Sequence, residues 1–193
     1  VQKSNPQDSK KINAIVRLET ENGHFFCSGS VINNEYIMTA GHCLVNSLGY
    51  MSSKTIKIKD SNLKDTGVEA EAVAINNRLD YGLIKVTKGD LKNFNKVTLE
   101  PSQEGVFKST MPYVAMGYPH GDQLHTVPLF PKFVNEYFYE QFTGRLYPGM
   151  SGGAVIDGRG YQVGINSAVG IGHVLITPVM EFFASMDLEV RFE

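Results

Sequence analysis

The chain has 193 residues, of which 42% are hydrophobic, so it is long enough for one large domain or two small ones in close contact. Its formal net charge of −2 gives no overall electrostatic reason to bind nucleic acid or an anionic membrane. No apolar stretch approaches the ~20 residues that a membrane-spanning helix needs. The composition therefore predicts a globular protein that binds neither nucleic acid nor membranes.

Many short β strands are predicted, because Val, Ile, Thr, Phe and Tyr recur in short runs separated by turn residues. The polar residues 1–11 are expected to form a surface extension, and an opening at Val1 suggests a mature form whose leader was removed, or a shortened chain. Residues 68–75 alternate as a strand would, but they also suit a helix by propensity. Other strands of the first half are predicted at residues 14–19, 24–32, 36–40 and 54–59.

The second half is predicted to begin after residues 87–108, a polar segment rich in Lys, Asn and Gly that would connect the two halves. Aromatic residues alternate with polar ones from residue 127 to 142, which is typical of strands with aromatic side chains in the core. Thr177 is a candidate cap for a C-terminal helix with Pro178 in its first turn. Further strands are predicted at residues 161–168 and 172–176.

The two cysteines, Cys27 and Cys43, could form a disulfide, remain free thiols or supply half of a metal site. No Cys-x-x-Cys spacing occurs and the histidines do not cluster around them, so a zinc site is not expected. A disulfide would close a loop of about 17 residues and contribute ~3 kcal/mol by the chain-entropy estimate. It would also indicate an oxidising compartment.

Two motifs, far apart in the chain, contain residues suited to nucleophilic catalysis. A glycine-rich turn, Gly-Met-Ser-Gly-Gly, places Ser151 shortly before an apolar run. His42 lies within Thr-Ala-Gly-His-Cys. Singly, the serine could lie in an ordinary turn and the histidine could end a strand without any role. Together they offer a hydroxyl and a base that could take its proton.

The amino-acid sequences of these motifs and their order along the chain resemble those of the chymotrypsin-like serine proteases. The family pattern Cys-Gly-Gly-Ser-Leu-Ile is matched by Cys-Ser-Gly-Ser-Val-Ile at residues 27–32, and Thr-Ala-Ala-His-Cys by residues 39–43. The family patterns Asp-Ile-Ala-Leu-Leu and Gly-Asp-Ser-Gly-Gly are matched at residues 80–84 and 149–153. The matches therefore spread over most of the chain in the family order His, Asp, Ser.

The resemblance implies a role for each matched residue. Ser151 would be the nucleophile, His42 the general acid–base and Asp80 the carboxylate that orients the histidine. The backbone N–H groups of Gly149 and Ser151 would form the oxyanion hole. Ser167 matches the family serine that supports the aspartate beside the substrate backbone.

The resemblance also implies an all-β fold of two six-stranded antiparallel β barrels with a C-terminal helix, which makes residues 68–75 a strand. It pairs Cys27 with Cys43 in a disulfide that anchors the segment carrying the histidine. The domains are predicted as an N-terminal extension at residues 1–11, a first barrel at 12–90, a crossing segment at 91–110, a second barrel at 111–176, and the C-terminal helix and tail at 177–193.

Gly-Tyr-Pro at residues 117–119, followed by Gly121 and Asp122, resembles the Gly-Tyr-Pro-Gly-Asp stretch of the bacterial glutamyl endopeptidases and exfoliative toxins. His120 is an insertion relative to that stretch and is interpreted as a surface-turn residue. Met150 stands where many family members have an aspartate that captures a new N-terminal amine on activation. Activation by that ion pair is therefore not expected.

The specificity pocket is expected six residues before the catalytic serine, with Arg145 at its base and Leu146 next. Glutamyl endopeptidases have a threonine or serine and a histidine where this chain has Leu146 and Asn166, so their way of selecting glutamate is not expected. Two alternatives stay open: Arg145 pairs with an acidic substrate side chain, or it faces solvent while the pocket takes an apolar one. The expected pocket walls are Asn166, Ser167, Ala168, Val169 and Gly172.

The predicted function is that of a secreted, monomeric bacterial serine endopeptidase that cuts protein or peptide substrates through an acyl-enzyme and needs no metal or cofactor. One alternative is a non-catalytic or toxin-like binding module that keeps the protease fold. Another is a restricted protease whose oxyanion loop opens only with a particular substrate, because Pro148 stiffens the turn before Gly149.

Overall fold

The computed structural model describes residues 14–60, 62, 64–77, 80–99, 113–121, 123–134, 140–143, 146–158, 160–170 and 173–178. These ranges contain β strands and two short 3-10 helices, Gly41–Leu44 and Pro119–Gly121. The strands are β1 Ile15–Thr20, β2 Phe25–Val31, β3 Tyr36–Ala40, β4 Ile56–Lys59, β5 Asp65–Asn76, β6 Tyr81–Lys88, β7 Thr98–Leu99, β8 Tyr113–Gly117, β9 His125–Val134, β10 Glu140–Thr143, β11 Ala154–Ile156, β12 Tyr161–Gly170 and β13 His173–Pro178.

The first half is a closed, antiparallel six-stranded barrel in the order β1-β2-β3-β6-β5-β4. Alternation of apolar and polar residues explains why these segments form strands: in β4, Ile56 and Ile58 are buried while Lys57 and Lys59, which alternate with them, are not. The barrel interior is filled by a cluster that includes Val16, Leu18 and Ile84. The predicted first barrel is therefore observed, and residues 68–75 lie within a strand.

The second half is an antiparallel sheet in the order β11-β8-β9-β10-β13-β12, to which the short β7 adds a parallel seventh strand. Strand β11 pairs with β8 on one side and also with β12 on the other. Strand β7 comes from the segment that was predicted to be only a crossing. The second six-stranded barrel and the division into domains remain predictions.

The end of β13 corrects one sequence-based prediction. Pro178 pairs with Gly164 of β12, and Thr177 pairs with Ile165, so both residues are extended. Pro178 is therefore not in the first turn of a helix; the remainder of the predicted C-terminal helix and the extension at residues 1–11 lie outside the described residues. No helix in the described part of the chain is long and apolar enough to cross a membrane.

The two halves share a hydrophobic cluster and several hydrogen bonds. Ile15 and Met38 of the barrel pack with Met116, Tyr118 and other buried residues of the second half. The buried Tyr118 hydroxyl donates to the Ile15 carbonyl at 2.9 Å. His42 follows strand β3 of the barrel and Asp80 precedes strand β6, whereas Ser151 precedes β11 of the second half. The junction between the halves therefore positions the candidate site.

Candidate active site

His42 lies in the 3-10 helix Gly41–Leu44, which begins where β3 ends. The backbone N–H of Gly41 donates to the Asp80 carbonyl at 2.8 Å, and a Cβ on Gly41 would lie 2.8 Å from the Tyr81 carbonyl oxygen. This close approach favours glycine at the position where the chain turns, directly after β3. The predicted disulfide is confirmed: Cys43, next to His42, is bonded to Cys27 of β2.

Asp80 holds the His42 segment at two points. Its Oδ1 accepts a 2.8 Å hydrogen bond from the His42 backbone N–H, and its Oδ2 lies 2.8 Å from His42 Nδ1. The hydroxyl of Ser167 donates to the same Oδ2 at 2.7 Å. Since the carboxylate accepts at Nδ1, that nitrogen carries the proton and the neutral ring leaves Nε2 free to act as an acceptor.

The backbone of Asp80 is left-handed, with φ of 57°. Aspartate tolerates this conformation better than most residues other than glycine. The turn sends the chain into β6, whose first residue, Tyr81, pairs with Ala40 at the end of β3. The pairing of β3 with β6 thus brings the two ends that carry His42 and Asp80 together.

The hydrogen bond from His42 to Asp80 raises the pKa of His42 above its usual value of 6.5, against the opposing effect of partial burial, and the negative charge of Asp80 adds to the rise. The His42 side chain remains 47% exposed, whereas that of Asp80 is 14% exposed. A shielded carboxylate and an accessible imidazole suit a base that is oriented through Nδ1 and reacts through Nε2.

We expect Asp80→Asn to lower the pKa of His42 relative to the unmodified protein, as measured by a proton NMR titration of its ring. The substitution removes the charge and the strong acceptor that raise this pKa, while burial, which lowers it, stays. Asp65→Asn, at the exposed start of β5, is the control and should leave the titration unchanged. A His42 pKa that stays the same or rises in Asp80→Asn would contradict this electrostatic account.

Ser151 follows a tight turn formed by Tyr147, Pro148, Gly149 and Met150. The Met150 N–H donates to the Tyr147 carbonyl at 3.1 Å, and Gly149 has φ of 97°. Proline at the second position and a left-handed glycine at the third are the preferences of a type II turn. The described contacts give the N–H groups of Gly149 and Ser151 no hydrogen-bond acceptor, so both are available to a substrate oxygen.

The Ser151 turn is joined to the barrel strands next to His42. The carbonyl of Ser151 accepts a 2.9 Å hydrogen bond from the Ser28 N–H of β2. Gly152 is buried so tightly that a Cβ there would overlap Thr39 Oγ1 and lie 2.9 Å from the Ala40 nitrogen. Thr39 and Ala40 end the strand that leads directly to His42, so the serine turn lies at the same edge of the barrel as the histidine and aspartate.

The residues predicted for the specificity pocket differ in their placement. The side chain of Leu146 is 3% exposed and packs in the second half's core with Met150 and Val163. Asn166 is 1% exposed, and its amide nitrogen donates to the carbonyls of Met116 and Met150 at 3.1 and 3.0 Å. The assignment of these two residues as substrate contacts therefore depends on resemblance alone.

The other predicted pocket residues lie on β12 or outside the described residues. Ser167 is 6% exposed and contacts Asp80, as described above. Ala168 and Val169 belong to β12, which pairs with β13 at this level. Arg145 and Gly172 lie outside the described residues.

In the described ranges, one group of possible metal ligands has its ligand atoms within 4.8 Å of one another: Cys27, His42 and Cys43. The two sulfur atoms are bonded to each other, so neither is a thiolate that could bind a metal ion. The third member is the histidine already held by Asp80. The cluster is therefore explained by the disulfide beside the candidate base.

The trypsin-like peptidase domain model matches residues 27–165. The chain belongs to the trypsin-like peptidase family. The match begins at the first disulfide cysteine and spans the segments that carry His42, Asp80 and Ser151. A search of curated proteins found no match to this chain.

Three solved protease structures resemble this trypsin-like domain at low sequence identity, and they support the fold. A serine endoprotease from Yersinia pestis is 19% identical with a TM-score of 0.77, and the match covers 97% of this chain and 66% of that one. The active form of the Rv3671c protease from M. tuberculosis is 16% identical with a TM-score of 0.73, covering 93% and 82%. The HtrA-type protease AlgW with a decapeptide is 18% identical with a TM-score of 0.73, covering 92% and 64%.

Two contacts that support the serine turn of this trypsin-like domain were missed by sequence reasoning. The Ser28 hydroxyl donates to the Gly149 carbonyl at 2.8 Å, and the His120 backbone N–H donates to the Pro148 carbonyl at 2.7 Å. Each position carried a weak signal, since Ser28 replaces a glycine of the family pattern and His120 is an insertion. The ring of His120 is exposed, as expected for a surface turn, while its backbone makes the contact.

Proposed function

We propose that this chain is a serine endopeptidase that hydrolyses peptide bonds through an acyl-enzyme on Ser151. The observation that carries the proposal is the Asp80 carboxylate, whose Oδ2 lies 2.8 Å from His42 Nδ1 and accepts from Ser167 at 2.7 Å. This contact fixes the tautomer in which Nε2 can take a proton. The free N–H groups of the serine turn supply the matching oxyanion site.

In the proposed reaction, the Ser151 hydroxyl oxygen attacks the carbonyl carbon of the scissile peptide while its proton passes to His42 Nε2. The carbonyl oxygen becomes an oxyanion that faces the N–H groups of Gly149 and Ser151. When the C–N bond breaks, the amine leaves with the proton from His42. Water then attacks the acyl-enzyme with the same histidine as base, which releases the acid product and restores the serine.

We further propose that glutamate is not selected in the way that glutamyl endopeptidases select it. Both N–H groups of the Asn166 amide are directed at main-chain carbonyls, so they are not available to a substrate carboxylate. Leu146 has no polar group to offer. Arg145 remains the candidate for reading an acidic side chain, and cleavage-site profiling with a peptide library distinguishes that preference from an apolar one.

We also propose that the protein is extracellular and acts as a monomer. The disulfide between Cys27 and Cys43 supports an oxidising, extracellular location, because such bonds are rare in reducing compartments. The partners are protein or peptide substrates, and the catalytic unit is proposed to be a monomer because both halves of the site come from one chain.

Covalent labelling tests the proposed function. A serine-directed fluorophosphonate is expected to add once to the folded protein, at Ser151, while Ser151→Ala gives no adduct. Peptide mapping by mass spectrometry locates the modified residue, and circular dichroism verifies that both proteins are folded. Folded wild-type protein that gives no adduct would favour the alternative of a non-catalytic binding module.

A further inference from the structure

Ser28 of β2 bonds to the serine turn and its surroundings through all of its polar groups. It is fully buried, its N–H donates to the Ser151 carbonyl at 2.9 Å, and its hydroxyl donates to the Gly149 carbonyl at 2.8 Å. The same hydroxyl accepts from the Tyr118 N–H at 3.0 Å. Its carbonyl accepts from the Thr39 hydroxyl at 2.8 Å. One side chain of the barrel thus connects two separate loops of the second half.

The peptide between Pro148 and Gly149 is held from the opposite side. The His120 N–H donates to the Pro148 carbonyl at 2.7 Å, and this peptide bond is trans. In a trans peptide the C=O and N–H groups point in opposite directions, so the Gly149 N–H faces away from His120. With the next carbonyl held by Ser28, the peptide units on both sides of Gly149 are fixed.

The space around Gly149 is closed as well. A Cβ on Gly149 would lie 2.6 Å from the Tyr118 carbonyl oxygen, 2.7 Å from the Phe25 ring and 2.8 Å from the His120 nitrogen. Gly121 packs against the same ring, since a Cβ there would lie 2.9 Å from Phe25. The turn is therefore enclosed by the loop at Pro119–Gly121 and by β2.

We propose that Ser28 is a positioning residue that keeps the oxyanion turn preformed, with the Gly149 N–H directed at the substrate carbonyl. Met150 has no carboxylate to hold the turn through an ion pair, and its fully buried side chain packs in the core instead. The hydroxyl of Ser28 provides a polar anchor from the other half of the molecule. This inference rests on the proposed peptidase function and deepens it.

Ser28→Ala tests the proposal against Ser30→Ala as a matched control. Ser30 is also fully buried on β2, and its hydroxyl also crosses to the second half, donating to Gln162 Oε1 at 3.0 Å. Ser30→Ala loses one buried hydrogen bond between the halves and Ser28→Ala loses two, but only Ser28→Ala releases the Gly149 carbonyl. Kinetics with a chromogenic peptide substrate and inhibition by the matching peptide aldehyde are measured for both, per folded molecule by near-ultraviolet circular dichroism.

We expect Ser28→Ala to lower kcat by about 10- to 100-fold with KM changed by less than about 3-fold, somewhat below the loss seen when an oxyanion donor is removed outright. The aldehyde adduct also places an oxyanion in the site, so its affinity should weaken by a similar factor. Ser30→Ala should leave both quantities within about 3-fold of wild type. Should Ser28→Ala fail to fold, Ser28→Gly, which restores the residue of the family pattern, takes its place with the same expectations.

Equal kinetic effects of Ser28→Ala and Ser30→Ala, or a loss that appears in KM alone, would overturn the positioning role. A wild-type protein that neither turns over peptides nor reacts with the phosphonate would instead remove the proposed function, and this inference with it. The two failures are distinguishable because the first requires an active wild type.

Discussion

Ser151→Ala and His42→Ala are each expected to lower kcat by ~10⁶-fold, and the double variant should be no slower than the single ones. The serine forms the covalent bond and the histidine takes its proton. If either residue is removed, the other can no longer take part in the attack. Asp80 holds His42 through two hydrogen bonds of 2.8 Å, so Ser151, His42 and Asp80 are expected to act as one unit. The measurement is hydrolysis of a chromogenic peptide by single and double variants.

The control is Ser47→Ala, which changes an exposed serine in the loop after the 3-10 helix at Gly41–Leu44. Its kcat should match that of the wild type. Additive losses, with the double variant slower than either single variant by the product of the two factors, would show that Ser151 and His42 act independently. Such a result would contradict the mechanism, even if both single variants were inactive by ordinary assays.

Strand positions in the barrel followed well from the sequence because alternation and turn residues agree there. Strand β3, predicted at residues 36–40, is observed at Tyr36–Ala40, and the predicted strand at 14–19 is observed as Ile15–Thr20. Residues 68–75 needed the family resemblance, since Ala and Glu also suit a helix. Pairing across the barrel decided the matter, because β5 forms ladders with both β4 and β6.

Local sequence was a poor guide where tertiary contacts decide the backbone. The 3-10 helix that carries His42 and the left-handed conformation of Asp80 occur where hydrogen bonds join these two residues, which are far apart in the sequence. Strand β7 is only two residues long and exists because Thr98 and Leu99 pair with β12. Pro178 fitted a helix start by local rules, yet pairing with Gly164 keeps it in a strand.

The candidate site divides in the same way. Side chains that react must be of particular residue types, so His42, Asp80 and Ser151 could be proposed from three motifs that match the family patterns. Backbone groups leave almost none: the His120 N–H that holds the Pro148 carbonyl would be present with nearly any residue at that position. Ser28 lies between these cases, since its hydroxyl matters only if the distant Gly149 carbonyl is placed beside it.

Gly152→Ala is expected to cost about 2–5 kcal/mol of unfolding free energy, as the sum of two effects. Gly152 has φ of 87°, a left-handed conformation that costs most other residues ~1–2 kcal/mol. A Cβ would also overlap Thr39 Oγ1 and the Ser28 carbonyl oxygen, and forcing extra atoms into a packed core typically costs ~1–3 kcal/mol. The overlap is with barrel strands, so relieving it should also move Ser151 away from His42 and slow phosphonate labelling.

Gly67→Ala separates the two effects. Gly67 of β5 has φ of 71°, but a Cβ there would meet nothing within 4 Å, so only the conformational cost of ~1–2 kcal/mol is expected. Urea unfolding followed by circular dichroism gives the free energies, and the phosphonate labelling rate of each folded variant reports on the site. Equal destabilisation by the two substitutions, with unchanged labelling of Gly152→Ala, would show that the contact between the serine turn and the barrel can shift without cost. The larger loss in Gly152→Ala is expected because its methyl group has backbone on two sides and cannot be accommodated by a side-chain rotation alone.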